Sequence, residues 1–151
     1  ALAASIHEVR ALGFSVGLHT AGIYPRRLEQ VLPLVDWVGL DIKAGPASYD
    51  SITGIADSAR SAFASADMVL ASGVASEVRT TVHPSLHSEQ DILDLALVLR
   101  AMGVRNYALQ LFRATGCTDS ALHAPAGARF PGAELLSRLS DLFERFTFRC
   151  D

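Results

Sequence analysis

The sequence predicts an α/β protein built on a parallel sheet. Three observations carry this. Ala11-Leu12-Gly13-Phe14, Ala71-Ser72-Gly73-Val74 and Ala101-Met102-Gly103-Val104 each close a helical pattern on glycine and restart as a strand. Glycine just past a helix accepts the left-handed backbone that ends it. The run Asp36-Trp37-Val38-Gly39-Leu40-Asp41-Ile42-Lys43 is short, apolar and β-prone, and it ends on two charges. Polar residues stand at the C-terminal end of every predicted strand, which is where α/β proteins build their sites.

The elements follow in order. Leu2–Leu12 places Ile6, Val9 and Leu12 near one helix face. Phe14–Leu18 reads as a strand and ends at the polar turn His19-Thr20-Ala21-Gly22. Pro25 opens a short helix, Pro25–Val31, which stops before Pro33. Trp37–Ile42 is the second strand, and Ala44–Ala56 a loop long enough to be functional. Helix Asp57–Ser72 leads to strand Ala75–Val82. Ser88, with Asp91 three residues on, caps helix Glu89–Met102, whose buried stripe is Ile92, Leu95, Ala96, Leu99 and Met102. Tyr107–Phe112 is the fourth strand, Thr115–Phe130 a loop, and Gly132–Arg145 a closing helix. Four parallel strands, each preceded by a helix, suit an open sheet or a slice of a barrel.

Length and composition bound the function. The 151 residues make one domain or part of one; half are hydrophobic and 19% charged, which suits a packed core. A net charge of −3 without a basic run gives no nucleic-acid surface. No apolar run approaches a membrane span, and the first residues read as an amphipathic helix, not a secretory signal. Two cysteines, Cys117 and Cys150, are too few for a disulfide framework and fit no metal spacing. A reducing, cytoplasmic setting is expected.

Alternation along Trp37–Lys43 puts Trp37, Gly39, Asp41 and Lys43 on one face. Gly39 is expected to open space there. Strand Ala75–Val82 places Glu77, Arg79, Thr81 and then His83 on one face. In a parallel sheet these residues converge with His19, Thr20 and Arg113. Asp41 and Lys43 then form either a rim of chemistry or a structural ion pair, and Arg79 pairs with Glu77 or Asp41. Lys43 at a barrel strand end also suits a decarboxylase or a Schiff-base aldolase. A non-catalytic α/β binding module is the third reading. Trp37 is expected to pack, and His87 and His123 to be solvated in loops.

The string Gly17-Leu18-His19-Thr20-Ala21-Gly22, then Leu34 to Lys43, Tyr49-Asp50, Thr53-Gly54, Ser72-Gly73-Val74 and Glu77 to Val82 resembles the radical S-adenosylmethionine (SAM) activating enzymes. The likeness is greatest to the anaerobic ribonucleoside-triphosphate reductase activating proteins, and Tyr107-Ala108-Leu109-Gln110, Arg113 and Gly116-Cys117 extend it. The resemblance implies a partial (β/α) barrel of radical SAM type. Here only the last four βα units are expected, so that residues 1–151 are the C-terminal part of one such domain. The family's CxxxCxxC loop for a 4Fe–4S cluster and its Gly-Gly-Glu motif are absent from this sequence. Phe14–Leu18 matches the family's third strand and is expected to present an unpaired edge that favours self-association.

By resemblance, Asp41 and Lys43 match the D-x-K pair that faces the SAM carboxylate. Thr20 and Asp41 match positions beside a monovalent cation in related activases, which carry Asp-Thr-Asn-Gly where this chain has His19-Thr20-Ala21-Gly22. Arg79 matches a SAM-directed arginine, and Arg113 a position that is histidine in those relatives. The implied cofactors are SAM and a 4Fe–4S cluster. The implied partner is an anaerobic ribonucleotide reductase or another glycyl-radical enzyme, on which reductive SAM cleavage would generate the radical.

Overall fold

The computed structural model describes residues 2–123 and 130–150. The helices are α1 (Leu2–Ala11), α2 (Pro25–Val31), α3 (Tyr49–Thr53), α4 (Ser58–Ser72), α5 (Glu89–Ala101) and α6 (Ala133–Leu142). The strands are β1 (Gly17–Thr20), β2 (Trp37–Asp41), β3 (Ala75–Val82), β4 (Asn106–Leu111) and β5 (Arg145–Arg149). Single 3₁₀ turns at Leu32–Leu34 and Ser120–His123 complete the set. The five strands pair in chain order and all are parallel. The sheet is α/β and unclosed, with β1 and β5 at its edges.

Strand order that follows chain order has a geometric consequence. Right-handed crossovers between successive neighbours send every connecting helix to the same side. The strand residues on that side are buried: Val38 and Leu40 in β2, Val78, Thr80 and Val82 in β3, Tyr107 and Leu109 in β4. They pack with Ala62, Ala66 and Val69 of α4, Ile92, Leu95, Ala96 and Leu99 of α5, and Leu135 and Leu139 of α6. The opposite side of the sheet carries the polar residues.

Most elements form where the sequence places them. Gly13, Gly73 and Gly103 all take positive φ, from +71° to +97°, at helix-to-strand junctions. Ser88 and Asp91 form a reciprocal capping box at the start of α5. Three differences have local causes. The first strand begins at Gly17, not Phe14, because its neighbour begins at Trp37, in register with Gly17. Before that point the chain is held by Asp36, which accepts the Val16 N–H at 2.7 Å and two contacts from Arg10 at 2.9 Å.

The second difference is a short helix, α3, inside the expected loop Ala44–Ala56. Asp50 explains it. Asp57, the N-cap of α4, has a left-handed φ of 60° and makes no side-chain cap. Asp50 supplies that cap from α3, accepting the N–H groups of Asp57 at 2.7 Å and Ala59 at 3.1 Å and the Ser58 hydroxyl at 3.0 Å. The loop's order is thus a capping arrangement.

The third difference corrects the strand count: the described residues hold five strands, not four. The closing helix ends at Leu142, and Phe143 is already extended, with φ −116° and ψ 148°. Arg145-Phe146-Thr147-Phe148-Arg149 alternates with period two, and Phe146 and Phe148 pack on the core. The loop residues 124–129, within the predicted Thr115–Phe130 connection, lie outside the described residues.

The Asp50 carboxyl is held below the usual carboxylate range, chiefly by the Ala59 N–H and then by the Asp57 N–H and Ser58. A depressed folded-state value stabilises the fold above the unfolded carboxylate pKa of ~3.9, and this stability is lost as pH falls through the lower folded value. Asp50→Asn is expected to flatten the acid side of the stability-against-pH curve measured by urea unfolding. In the core, Leu109→Ala is expected to cost ~2–5 kcal/mol in the same assay.

Candidate functional site

Alternation builds the polar face from every second residue of the strands. In β2 it presents Trp37, Gly39 and Asp41; in β3, Glu77, Arg79 and Thr81; in β4, Asn106, Ala108 and Gln110; in β5, Arg145, Thr147 and Arg149. Register sets Asp41 beside Arg79 and Arg79 beside Ala108. Ala108 is fully buried yet stands apart from the apolar core. Its register neighbours are Arg79 on β3 and Thr147 on β5.

Two ion clusters occupy the face. Asp41 accepts from Arg79 Nε at 3.0 Å through one oxygen and from Lys43 Nζ at 3.3 Å through the other. Glu77 takes Arg149 Nη2 with both oxygens at 3.0 Å. The Arg79 side chain is 13% exposed and that of Glu77 18%, so both charges sit largely out of water and need these partners. Arg79 is committed to Asp41 through Nε, which leaves its Nη nitrogens able to meet another planar acceptor. Lys43, Arg79 and Arg149 against Asp41 and Glu77 give the two clusters together one net positive charge.

Space over Gly39 is not open. A Cβ there would lie 2.6 Å from Trp37 Cη2 and 2.9 Å from His19 Nδ1. The two rings fill the position and meet edge to face at 5.2 Å between centroids. Gly39 is therefore required for the wedge of Trp37 and His19 beside the charged cluster, which corrects the expectation that it opens space on this face. The expectation that Trp37 packs agrees with this placement.

The structure brings Asp41, Lys43 and Arg79 together and sets His19 one step away, on β1. It does not bring in Thr20. That residue shares a face with Leu18 and lines a groove of about 550 Å³ with Leu2, Ile23, Tyr24 and Leu28 on the helix side. Its hydroxyl accepts the Gly22 N–H at 3.1 Å, in a turn that Ser65 of α4 fixes by donating to the Gly22 carbonyl at 2.6 Å. Arg113 lies exposed beyond the end of β4, where the strand has given way to a loop. The larger groove, about 730 Å³ between α2 and α4, also lies away from the cluster.

Two residues of this region escape sequence reasoning. Arg149 belongs to the unread fifth strand, and its signal was the alternation of residues 145–149. His87, expected in solvent, is buried, with its Nε2 2.9 Å from the Lys43 carbonyl oxygen. No sequence signal marks it, because its burial depends on where two strand ends meet. Tyr49 is also buried, meets Phe63 edge to face at 6.0 Å, and turns toward the Lys43 backbone. Burial raises its phenol above the ordinary range.

No protein-family model matches the chain, and no curated protein sequence matches it. Among solved structures, the chain is similar to a domain of pyruvate-formate lyase-activating enzyme from Bacteroides vulgatus. The TM-score is 0.69 at 10% identity, over 97% of this chain and 88% of that one. At this identity the likeness establishes a shared fold.

The chain has one tryptophan, so its fluorescence reports the wedge directly. Gly39→Ala is expected to displace Trp37, shift its emission and cost ~1–3 kcal/mol by overpacking. Adding Trp37→Phe should recover part of that cost, because the smaller ring yields space to the new methyl group. Equilibrium unfolding of the wild type and the two variants, followed by circular dichroism, checks the two costs.

Proposed function

We propose that this chain is the SAM-binding part of a radical SAM activating enzyme, residues 1–151 forming the later strands of one partial-barrel domain. The observation that carries the reading is the Asp41 carboxylate bridging Lys43 and Arg79 at the C-terminal end of adjacent parallel strands. Support comes from the sequence resemblance and from the shared fold with an activating-enzyme domain. The partner in this reading is a glycyl-radical enzyme, and anaerobic ribonucleotide reductase is the specific candidate.

The residues fit the polar part of SAM. Its carboxylate suits Arg79 and Lys43, which together offer a planar fork and a mobile ammonium. Its ammonium and sulfonium suit a face that also holds Asp41 and Glu77. Asp41 aims Arg79 through Nε and restrains Lys43, so neither cation has to be ordered when the ligand arrives. His19 and Trp37 wall one side of the cluster. When bound, SAM would supply a sulfonium whose reductive cleavage yields a carbon radical. The chain's own residues bind and orient it. Arg113, at the rim beyond β4, and Thr20, at the turn after β1, are secondary candidates for contact.

A 4Fe–4S cluster does not fit the residues present. Cys117 lies in the loop after β4, with its Sγ 3.8 Å from the Asp119 carbonyl oxygen, and Cys150 is exposed after β5. Among the described residues no group of three or more His, Cys, Asp or Glu side chains could hold a metal ion. In the proposed reading the cluster is held by residues that this chain does not contain. No helix among the described residues is long and apolar enough to cross a membrane.

The Schiff-base reading is less favoured by geometry. Lys43 is ion-paired to Asp41 and about one third exposed, whereas such chemistry uses a desolvated amine. The native full-length protein, reconstituted anaerobically with iron and sulfide, is expected to bind SAM and release methionine on reduction. Arg79→Ala is expected to weaken SAM about 10- to 100-fold, the scale of one or two hydrogen bonds to a charged group. Absence of SAM binding by wild-type protein, or trapping of a carbonyl substrate on Lys43 by borohydride, would overturn the reading.

A further inference from the structure

The turn after β3 returns a buried side chain to the end of β2. Residues 83–87 form a tight turn in which the N–H groups of Leu86 and His87 both bond the His83 carbonyl at 2.9 Å. This places the His87 ring, 5% exposed, between two strand ends. Its Nδ1 accepts the His83 backbone N–H at 3.3 Å, and its Nε2 lies 2.9 Å from the Lys43 carbonyl oxygen. A ring nitrogen that accepts an N–H carries no proton. The proton therefore sits on Nε2 and is donated to Lys43. The neutral imidazole uses both nitrogens, each on a different strand end.

Lys43 needs such a support. Ile42 still bonds β3, its N–H reaching the Arg79 carbonyl at 2.9 Å, and Lys43 is the next residue, past the end of the strand. Its side chain nevertheless takes part in the Asp41 cluster. A lysine on an unsupported strand end would sample many directions and lose entropy on being ordered. We infer that His87 is a positioning residue of Lys43, holding the Lys43 carbonyl, alongside Tyr49 on the same backbone, so that the Lys43 ammonium and Asp41 stay in register with Arg79. The inference rests on the proposed SAM site only for its effect on affinity; the backbone effect is independent of any ligand.

The two nitrogens can be replaced one at a time. The amide nitrogen of His87→Gln can reach the place of Nε2 and restore the bond to Lys43. The shorter His87→Asn can restore only the acceptor at Nδ1, toward His83. The native full-length protein is used throughout, with melting temperatures measured alongside. His87→Ala and His87→Asn are expected to speed amide exchange at Ile42 and to weaken SAM about tenfold, the scale of one lost charged-group contact. His87→Gln is expected to retain near wild-type values of both. A purely structural role would lower the melting temperature without separating Gln from Asn. Equal behaviour of Gln and Asn, or unchanged Ile42 exchange in His87→Ala, overturns the inference. If wild-type protein fails to bind SAM, the functional reading falls, and the Ile42 exchange of the three variants still decides the inference.

Discussion

Right-handed crossover of parallel strands taken in chain order is the constraint on which the rest depends. It sends all connecting helices to one side and so divides every strand into an apolar and a polar set. The apolar set is complete: Val38, Leu40, Val78, Leu109 and their neighbours are buried under α4, α5 and α6. The polar set has no layer of connecting helices over it among the described residues. A doubly wound sheet would have helices on both faces and could not keep Asp41, Glu77, Arg79 and Arg149 together on an uncovered face. The location of the site is thus a consequence of topology before it is one of chemistry.

Charge then organises that face. Glu77 and Arg79 stand on one strand, two residues apart, yet do not pair with each other. Each reaches outward, Arg79 to Asp41 on β2 and Glu77 to Arg149 on β5. Two ion clusters therefore tie three strands of the polar face, β2, β3 and β5, to one another. Partly buried charges gain little net stability from pairing, because desolvation offsets the attraction. Their effect is to fix directions, with Arg79 held at Nε and still able to bind through its terminal nitrogens.

Much of this was legible in the sequence. Gly13, Gly73 and Gly103 announced the α–β repeats, and the alternation of Glu77, Arg79 and Thr81 announced a polar strand face. Asp41, Lys43 and Arg79 could be grouped because parallel strands align their C-terminal ends. What was not legible depended on contacts between distant segments. The side of the sheet taken by Thr20 turned on β1 running two residues past Leu18, so that Thr20 alternates within the strand and shares the helix side with Leu18. The burial of His87 turned on the distance between two strand ends. Arg149 is hidden because the helical pattern of α6 runs on in the sequence past Leu142, over an alternation that β4 pairs.

The proposed function joins two requirements. In that reading, holding a zwitterionic ligand needs cations and a carboxylate in fixed directions, which Asp41 and Lys43 at the end of β2 and Arg79 in register on β3 would provide. Supplying an electron needs a redox centre, and Cys117 and Cys150 do not form one. The first requirement is met by side chains on strands, supported from behind by His87 and flanked by the Trp37–His19 wedge. These supports lie in the residues described, and none of them waits on a cluster for its position. The directions of the Asp41, Lys43 and Arg79 side chains are therefore set by contacts among the described strands and turns themselves.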